Sequence, residues 1–338
     1  MKRKLCVFAL LLWFCFVHAD DRNIHRRAGT TVFPFLNLGY DSRAIAMGGA
    51  SVAMPNEIYG MLSNPSAMAY IEKKQIMGGY EPVMLGIRGN ALSYAMPAGN
   101  IGVIGTNMLL VLYGTVQEVD ENKKPTGNTW EPYSFAGQVG WSRLFRDDFS
   151  IGVIAKGIYD RIGSTSGEYY AADGYAFDIG VQYRLLNSRL ILGSVIQNLG
   201  FLREGYSERT DDFSLPFAAI VGISYNLKNI PPLRLALDAS QAYDDFLNFH
   251  FGGELDIYKE YFSIRGGFNA SSRDIEEKAG ELVGSVDEEY MKTNWLTISL
   301  GIGVNAPISL FDVAIDAAFQ ARNNGLTPGF SLSGILSF

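Results

Sequence analysis

The chain has 338 residues, of which 48% are hydrophobic and 13% aromatic, and its formal net charge at pH 7 is −7. An acidic chain disfavours a nucleic-acid partner, because such a partner needs a basic surface that neutralises phosphates. Both cysteines, Cys6 and Cys15, lie near the N-terminus, so the rest of the chain has no disulfide and no cysteine-based metal site.

Residues 1–19 have the pattern of a cleaved secretory signal peptide. Three basic residues at positions 2–4 precede the apolar run 5–17, and the sequence V-H-A at 17–19 fits a small-x-small cleavage site before Asp20. The run is too short to span about 30 Å of hydrocarbon, which disfavours a permanent membrane helix. A lipoprotein signal at Cys15 fits poorly, because bulky Trp13 and Phe14 precede it.

The remaining chain is acidic and lacks a helical membrane span. Three of the 28 basic residues lie within 1–19, which leaves 25 basic against 35 acidic residues, a net charge of −10. No later apolar run reaches the roughly 18 residues of a membrane helix. An exported membrane protein with this sequence would therefore have to be a β-barrel.

The stretch 40–68 is predicted to be a plug that the rest of the chain encloses. Small residues at positions 44, 46 and 48–50 allow close backbone contact, and glycine permits positive φ where the chain must kink. Asn64-Pro65 is a turn signal, because proline fixes its own φ and restricts the residue before it. The predicted divisions are a signal peptide (1–19), an N-terminal arm and hatch (20–72) and a barrel (73–338).

The run 42–50 (S-R-A-I-A-M-G-G-A), followed about 15 residues later by N-P-S-A at 64–67, resembles the N-terminal signature of the PorV/PorQ family. That family is related to the FadL fatty-acid transporters, and Q-N-L-G at 197–200 is similar to a strand-end motif of both. The run 54–57 (M-P-N-E) departs from the usual acidic and small residues. The resemblance implies an outer-membrane β-barrel with an N-terminal hatch in its lumen. The hatch and ligand candidates are Ser42, Arg43, Ala46, Met47, Gly48, Gly49, Ile58, Met61, Leu62, Asn64 and Pro65.

From residue 74 onward, apolar and polar residues alternate with period two. Phe177, Ile179 and Val181, for example, alternate with Asp178 and Gly180. Runs of about 9 to 11 residues match tilted strands that cross hydrocarbon. We expect about 14 antiparallel transmembrane strands, an even number as in bacterial outer-membrane barrels.

The predicted connections alternate between short and long, as expected for periplasmic turns and outer loops. The short set includes 97–99, 145–147, 186–187, 226–231, 259 and 305–307, and the long set includes 118–130, 161–169, 200–213 and 270–294. The charged arm at positions 20–27 is expected at the periplasmic mouth. The acidic loop 270–294 could gather Ca²⁺ or Mg²⁺, although a solvated loop is the simpler interpretation, and we predict no metal site.

The last strand carries a predicted barrel-assembly signal. Leu332, Leu336 and the terminal Phe338 resemble the C-terminal signal that outer-membrane barrels present to their assembly machinery. The alternative is an ordinary last strand of a soluble β-domain.

Several charged residues share the predicted inward face of the barrel. They are Asp178, Arg184, Arg234, Asp238, Glu254, Asp256, Arg265, Asp312 and Asp316. One interpretation is a polar path or gate that pairs with the hatch through Asp41 and Arg43. The other is mixed-sign side chains that fill a closed barrel and pair with one another.

Catalysis and cofactors find little support in the sequence. Outside the signal peptide only His25 and His250 are histidines, no phosphate-binding glycine loop is present, and no metal-ligand spacing occurs. We therefore predict a protein that is not an enzyme and binds no cofactor.

Two functions from different classes follow from the resemblance. The preferred one is passage of a hydrophobic small molecule such as a long-chain fatty acid, because the plug is apolar and the outer loops are only moderately long. The alternative is a type IX secretion-associated barrel that binds exported proteins. A structural or antigenic surface barrel without a substrate is a third. Each would sit among outer-membrane lipids.

Overall fold

The structure is a computed structural model that describes residues 25–55, 58–83, 85–120, 122–165, 168–207, 213–227, 232–257, 261–272, 296–308, 310–321 and 328–338. The predicted signal peptide (1–19) and most of the acidic loop 270–294 lie outside these residues. Sixteen strands are described: β1 (Gln75–Pro82), β2 (Arg88–Pro97), β3 (Val103–Leu112), β4 (Val116–Val119), β5 (Pro125–Trp130), β6 (Tyr133–Arg146), β7 (Phe149–Thr165), β8 (Glu168–Leu185), β9 (Leu190–Glu204), β10 (Ala218–Leu227), β11 (Leu233–Ala242), β12 (Leu247–Ile257), β13 (Phe262–Ser271), β14 (Thr297–Ile308), β15 (Phe311–Ala321) and β16 (Gly329–Ser337).

Fourteen of these strands form one closed antiparallel barrel, in which each strand pairs with its neighbours in the chain and β1 pairs with β16. The predicted fold class, an antiparallel barrel of about 14 strands, is confirmed. β4 and β5 form a separate hairpin, most of which lies in the stretch 118–130 that the sequence predicted as a loop. Its residues are nearly all exposed, so they show no inside–outside alternation that would mark a strand.

The barrel separates an apolar outer face from an interior face, because successive side chains on a strand point to opposite sides. On β8, Phe177 and Ile179 are exposed on the outside while Asp178 is buried inside. A shift of one residue in register would exchange these faces, so the pattern fixes the pairing.

The two ends of the barrel differ. The end called here the turn end has the short connections 98–102, 147–148 and 186–189, and β1 begins and β16 ends there. At the opposite, loop end, β7 reaches Thr165 and β8 starts at Glu168, so most of the predicted loop 161–169 is strand. Likewise β9 extends to Glu204, and the predicted turn 305–307 lies within β14. Where these strands extend beyond the apolar band of the barrel, apolar and polar residues alternate too weakly for the sequence to predict a strand.

The segment before the barrel contains short helices. The α-helical turn α1 (Ser42–Ala46) is capped by Asp41, whose carboxylate accepts hydrogen bonds from the backbone N–H of Arg43 and Ala44. A 3₁₀ helix at Pro65–Tyr70 is capped in the same way by Asn64, and further 3₁₀ turns lie at Pro34–Asn37 and Ile58–Met61. No helix among the described residues is long and apolar enough to cross a membrane.

The start of the segment lies at the loop end. His25 packs edge-on against Phe246, with 5.3 Å between ring centroids, and the Arg27 guanidinium lies 4.4 Å from the Tyr243 ring centroid. Thr31 bridges to Ser214 in the β9–β10 connection. For residues 25–27 the predicted position at the opposite mouth is therefore wrong, because aromatic rings of the β11–β12 connection attract this cationic arm.

Candidate functional site in the barrel interior

Residues 46–48, 52–53 and 64–66 pack directly onto inward-facing glycines of the barrel wall. A Cβ atom added at Gly193 would overlap with the carbonyl of Val52, and one added at Gly180 would overlap with the side chain of Asn64. The same close approach to this part of the segment occurs at Gly152, Gly252, Gly267 and Gly301. Because these glycines lie on strands around the barrel, the wall forms a fitted seat for residues 46–66.

Side chains of the wall also hold this part of the segment through its backbone. The Asp238 carboxylate accepts from the N–H of Ser51 (2.7 Å) and of Val52 (2.9 Å). From β8, the Gln182 amide donates to the carbonyl of Met54 (3.0 Å). From the Q-N-L-G motif on β9, Gln197 donates to the carbonyl of Ser63 (2.7 Å). Buried backbone groups of the segment are thus paired with the wall.

The adjacent motif residue, Asn198, forms a bulge in the wall. Its φ is 56°, and the register between β8 and β9 shifts beside it. Its side-chain oxygen accepts a hydrogen bond from Lys156 Nζ (2.7 Å), and Lys156 also pairs with Asp178 at 2.8 Å. Lys156 and Asp178 are both buried, so an ion pair lies beside the bulge, as expected for side chains of opposite sign that fill a closed barrel.

A buried charge network, called here the Glu254 network, ties α1 to the wall. Arg43 donates to both oxygens of Glu254, from Nε at 2.8 Å and from Nη2 at 2.7 Å. Arg265 donates to Glu254 (2.7 Å) and also pairs with Asp316. The Tyr59 hydroxyl donates to Asp316 at 2.9 Å. The bidentate Arg43 contact gives geometric specificity as well as attraction.

The cap residue Asp41 lies close to this network and is itself buried. Burial, together with the nearby negative charge of Asp316, raises the pKa of the Asp41 carboxyl to about 7, although the two backbone N–H donors oppose this shift. Next to it, the N–H of Ser42 donates to Ser333 Oγ at 3.3 Å.

The loop-end half of the interior is apolar. Phe33 is fully buried and Phe35 nearly so, and both pack against inward side chains of the wall that include Leu109, Val111 and Ile158. The β9–β10 connection contributes Leu215, while Tyr206 and Phe213 pack from the side. We call this set of residues the loop-end cluster.

Phe33 adopts an unusual backbone conformation within the loop-end cluster. Its φ is 59° and its ψ is 46°, which is the left-handed region that non-glycine residues rarely adopt. Gly174 makes room for its ring, since a Cβ there would lie 3.3 Å from Phe33 Cε2. Burial of the aromatic ring offsets the cost of this conformation.

A cavity of about 810 Å³ opens at the turn end. It is lined by residues that include Arg43, Tyr59, Tyr70, Arg234, Asp256 and Tyr261, and the Glu254 network borders it. Its lining is strongly charged, in contrast to the loop-end cluster.

The structure places the candidates from the sequence as follows. Of the inward charged set, Asp178, Asp238, Glu254, Arg265 and Asp316 are buried, while Arg184, Arg234 and Asp256 are half-buried and Asp312 is exposed beside Lys73. Of the hatch set, Arg43, Gly49 and Leu62 are half-buried and the others are buried. Leu332 and Phe338 are exposed on the outer face and Leu336 is half-buried.

The sequence did not identify several residues that meet here. Phe33, Phe35 and Tyr59 lie in or beside the predicted plug, but nothing in their spacing marks them as wall contacts. His250, one of the two histidines outside the predicted signal peptide, contacts Ser240 Oγ through Nε2 (2.9 Å) and the carbonyl of Gly48 through Nδ1 (3.0 Å). It thus links wall and segment. Among the described residues, no group of three or more potential ligands could hold a metal ion.

A closed barrel of 14 antiparallel strands, with apolar side chains outside, is the fold of FadL-type outer-membrane barrels. Among solved structures the chain is similar to the toluene transporter TodX of Pseudomonas putida, with a TM-score of 0.59, 13% identity and coverage of 88% of this chain and 97% of TodX. The toluene transporter TbuX of Ralstonia pickettii is similar with a TM-score of 0.54 and 13% identity, and the match covers 90% of this chain and 98% of TbuX. The monoaromatic hydrocarbon channel CymD is similar with a TM-score of 0.56 and 12% identity, and the match covers 88% of this chain and 96% of CymD.

No protein-family model and no curated protein sequence matches the chain. At 12 to 13% identity, the similarity to TodX, TbuX and CymD shows the fold alone. The FadL part of the resemblance therefore holds for the fold, and the PorV/PorQ part stays a prediction.

Proposed function

We propose that the protein lies in the outer membrane and passes a hydrophobic small molecule through the barrel interior, with the first part of the N-terminal segment as its gate. The observation that carries the proposal is the loop-end cluster. Inward residues of a water-filled barrel are polar. Here Leu109, Val111 and Ile158 point inward and are buried against Phe33 and Phe35. An interior of this kind favours an apolar solute over water or ions.

The two parts of the segment are held differently, which favours residues 25–40 as the moving part. Residues 41–55 and 58–66 are held by the glycine seat, by hydrogen bonds from the wall and by the Glu254 network. The side chains of Phe33 and Phe35 make mainly apolar contacts, which an apolar solute can replace. The polar contacts of this part, Thr31 with Asp244 and Val32 with Ser214, lie at the loop end. The left-handed backbone of Phe33 also lowers the cost of releasing it.

A pair of disulfide locks tests which part moves. The first variant carries Thr31→Cys and Ser214→Cys, which would tie residue 31 to the β9–β10 connection. The matched control carries Ser42→Cys and Ser333→Cys, which would tie the seated part to β16. Because residues 20–338 contain no cysteine, no native thiol competes. The measurement is uptake of radiolabelled toluene and of oleate by cells with an intact outer membrane and no other such transporter.

We expect the oxidised Thr31–Ser214 lock to lower uptake by about tenfold or more and a reductant to restore it, since a closed gate blocks the route. The Ser42–Ser333 lock should leave uptake within about twofold. Equal uptake with both locks would contradict the gate, and no uptake of either solute by the unmodified protein would contradict passage itself.

The secretion-partner alternative rests on the resemblance to PorV/PorQ, and one observation bears on it. The exposed β4–β5 hairpin stands apart from the barrel sheet and offers unpaired strand edges to another protein. If deletion of residues 116–130 abolished co-purification of exported proteins while oleate and toluene uptake were absent, the alternative would replace transport.

A further inference from the structure

The turn-end cavity contains an arginine, Arg234, whose Nε pairs with none of the described residues. The Arg234 side chain on β11 is only 17% exposed and lines the cavity. Its buried Nε has no hydrogen-bond partner among the described residues. Its contact with Glu254 is 3.9 Å, beyond hydrogen-bonding distance.

Glu254 cannot serve as a full partner, because its oxygens are already occupied. It accepts two hydrogen bonds from Arg43 and one from Arg265. A carboxylate offers about four acceptor positions, so little capacity remains for a third guanidinium. Arg234 is thus the cation in excess at this carboxylate.

The other acids that line the cavity have donors of their own. Asp316 pairs with Arg265, Asp312 pairs with Lys73 at 2.6 Å, and Asp256 accepts from the Ser263 hydroxyl at 2.9 Å. Glu72 lies at the mouth and is exposed. Asp256 lies two residues beyond Glu254 on β12, the strand next to Arg234, and its charge opposes any anion that enters.

We propose that the turn-end cavity is a binding site for an oxyanion, a carboxylate or a phosphate, with Arg234 as its direct contact. A planar guanidinium binds such groups through two parallel hydrogen bonds, which are strong where water is partly excluded. Tyr70, Tyr261 and Pro232 also line the cavity and offer surface for the apolar or aromatic body of such a solute. The inference rests on the proposed function in one respect: it places the acidic group of a solute such as oleate beside Arg234 at the turn end.

The test compares a charged probe with its neutral counterpart. Binding of 4-fluorobenzoate and of fluorobenzene to the barrel in mild detergent is followed by fluorine NMR, with inorganic phosphate as a competitor. We expect fluorobenzoate to bind and Arg234→Met to weaken it about tenfold or more, as for loss of a charge-assisted hydrogen bond. Lys73→Met, which removes another cation at the mouth, should change binding by less than about twofold.

A second variant distinguishes direct binding by Arg234 from a merely structural role of this residue. Asp256→Asn removes the opposing charge while keeping an oxygen that can accept from Ser263, so it should strengthen fluorobenzoate binding several-fold. This result is required even if Arg234→Met fails to fold. Competition by phosphate would indicate a general oxyanion site, and its absence a carboxylate site; both support the proposal.

Equal binding of fluorobenzoate by the unmodified protein and by Arg234→Met would overturn the inference, as would equal affinity for fluorobenzene or no gain from Asp256→Asn. Toluene uptake separates this outcome from failure of the proposed function. If toluene passes but fluorobenzoate does not bind, only the oxyanion site is wrong. If fluorobenzoate binds but no neutral solute passes, only transport is wrong.

Discussion

The loop-end cluster and the turn-end cavity lie in the same barrel, yet they are built in opposite ways. At the loop end, Phe33 and Phe35 fill an apolar interior, and dispersion and apolar burial stabilise their contacts. At the turn end, Arg43, Glu254 and Arg265 form a network of directed, charge-assisted bonds beside an open cavity. Apolar contacts can be exchanged for those of a solute, whereas a buried charge that loses its partner is left unpaired. The first arrangement suits a part that moves and the second a part that stays.

The largest expected effect is that of breaking the Glu254 network. In Glu254→Gln, Arg43 and Arg265 lose their shared carboxylate and remain buried beside each other. We expect the free energy of unfolding to fall by about 3–5 kcal/mol, as for other buried pairs that lose one partner. Urea unfolding in detergent micelles measures it.

The matched control is Asp312→Asn, which breaks the exposed pair with Lys73 and should cost about 0–1 kcal/mol. A similar loss in both variants would mean that the Glu254 network does not anchor the segment.

An intermediate effect is expected from filling the glycine seat. Gly193→Ala places a methyl group against the Val52 carbonyl, where only backbone can yield, and overpacking of this kind costs about 1–3 kcal/mol. Gly157→Ala is the control, because nothing lies within 4 Å of its added Cβ. Thermal unfolding should separate the two variants; a stable Gly193→Ala would show that residues 46–66 are held less closely than the structure has them.

The last expected effect concerns pH and Asp41, and it is a change in the pH profile rather than a loss of stability at one pH. Since the pKa of about 7 in the folded protein lies above its ordinary value of 3.8, the unfolded chain loses this proton first as the pH rises. The contribution of Asp41 to stability is therefore full below about pH 4, declines as the pH rises to about 7 and is constant above that. Asp41→Asn keeps the cap of α1 and should remove this component from the pH profile of the unfolding midpoint. An identical profile in the variant would show that other groups cause it.

The barrel could be predicted from sequence because its rule is local. Each barrel strand has one outer face and one interior face, so alternation as in Phe177-Asp178-Ile179 indicates both the strand and its register. The β4–β5 hairpin obeys no such rule, since water surrounds it on both sides. It was therefore predicted as a loop.

The interior could be predicted only in part, because its contacts depend on distances across the barrel. The charged inward face was visible as a pattern, but the pairing of Arg43 with Glu254 joins residues 211 positions apart. Which glycines meet the segment depends on strand register around the whole wall. The predicted position of residues 25–27 was wrong for the same reason, because their partners, Tyr243 and Phe246, follow more than 200 residues later in the chain.

The pairing of β1 with β16 has a consequence for assembly. Lys74 and Phe338 exchange backbone hydrogen bonds at 3.1 and 2.9 Å, so the first and last residues of the sheet close the seam between them. Among the strand pairings that the structure describes, this one has the longest sequence separation, and long-range pairings form late. Because residues 25–72 come before the first strand in the chain, they are present before the seam forms. The forming sheet can thus close around residues 25–72, and the contacts of the glycine seat can then guide the curvature of the sheet.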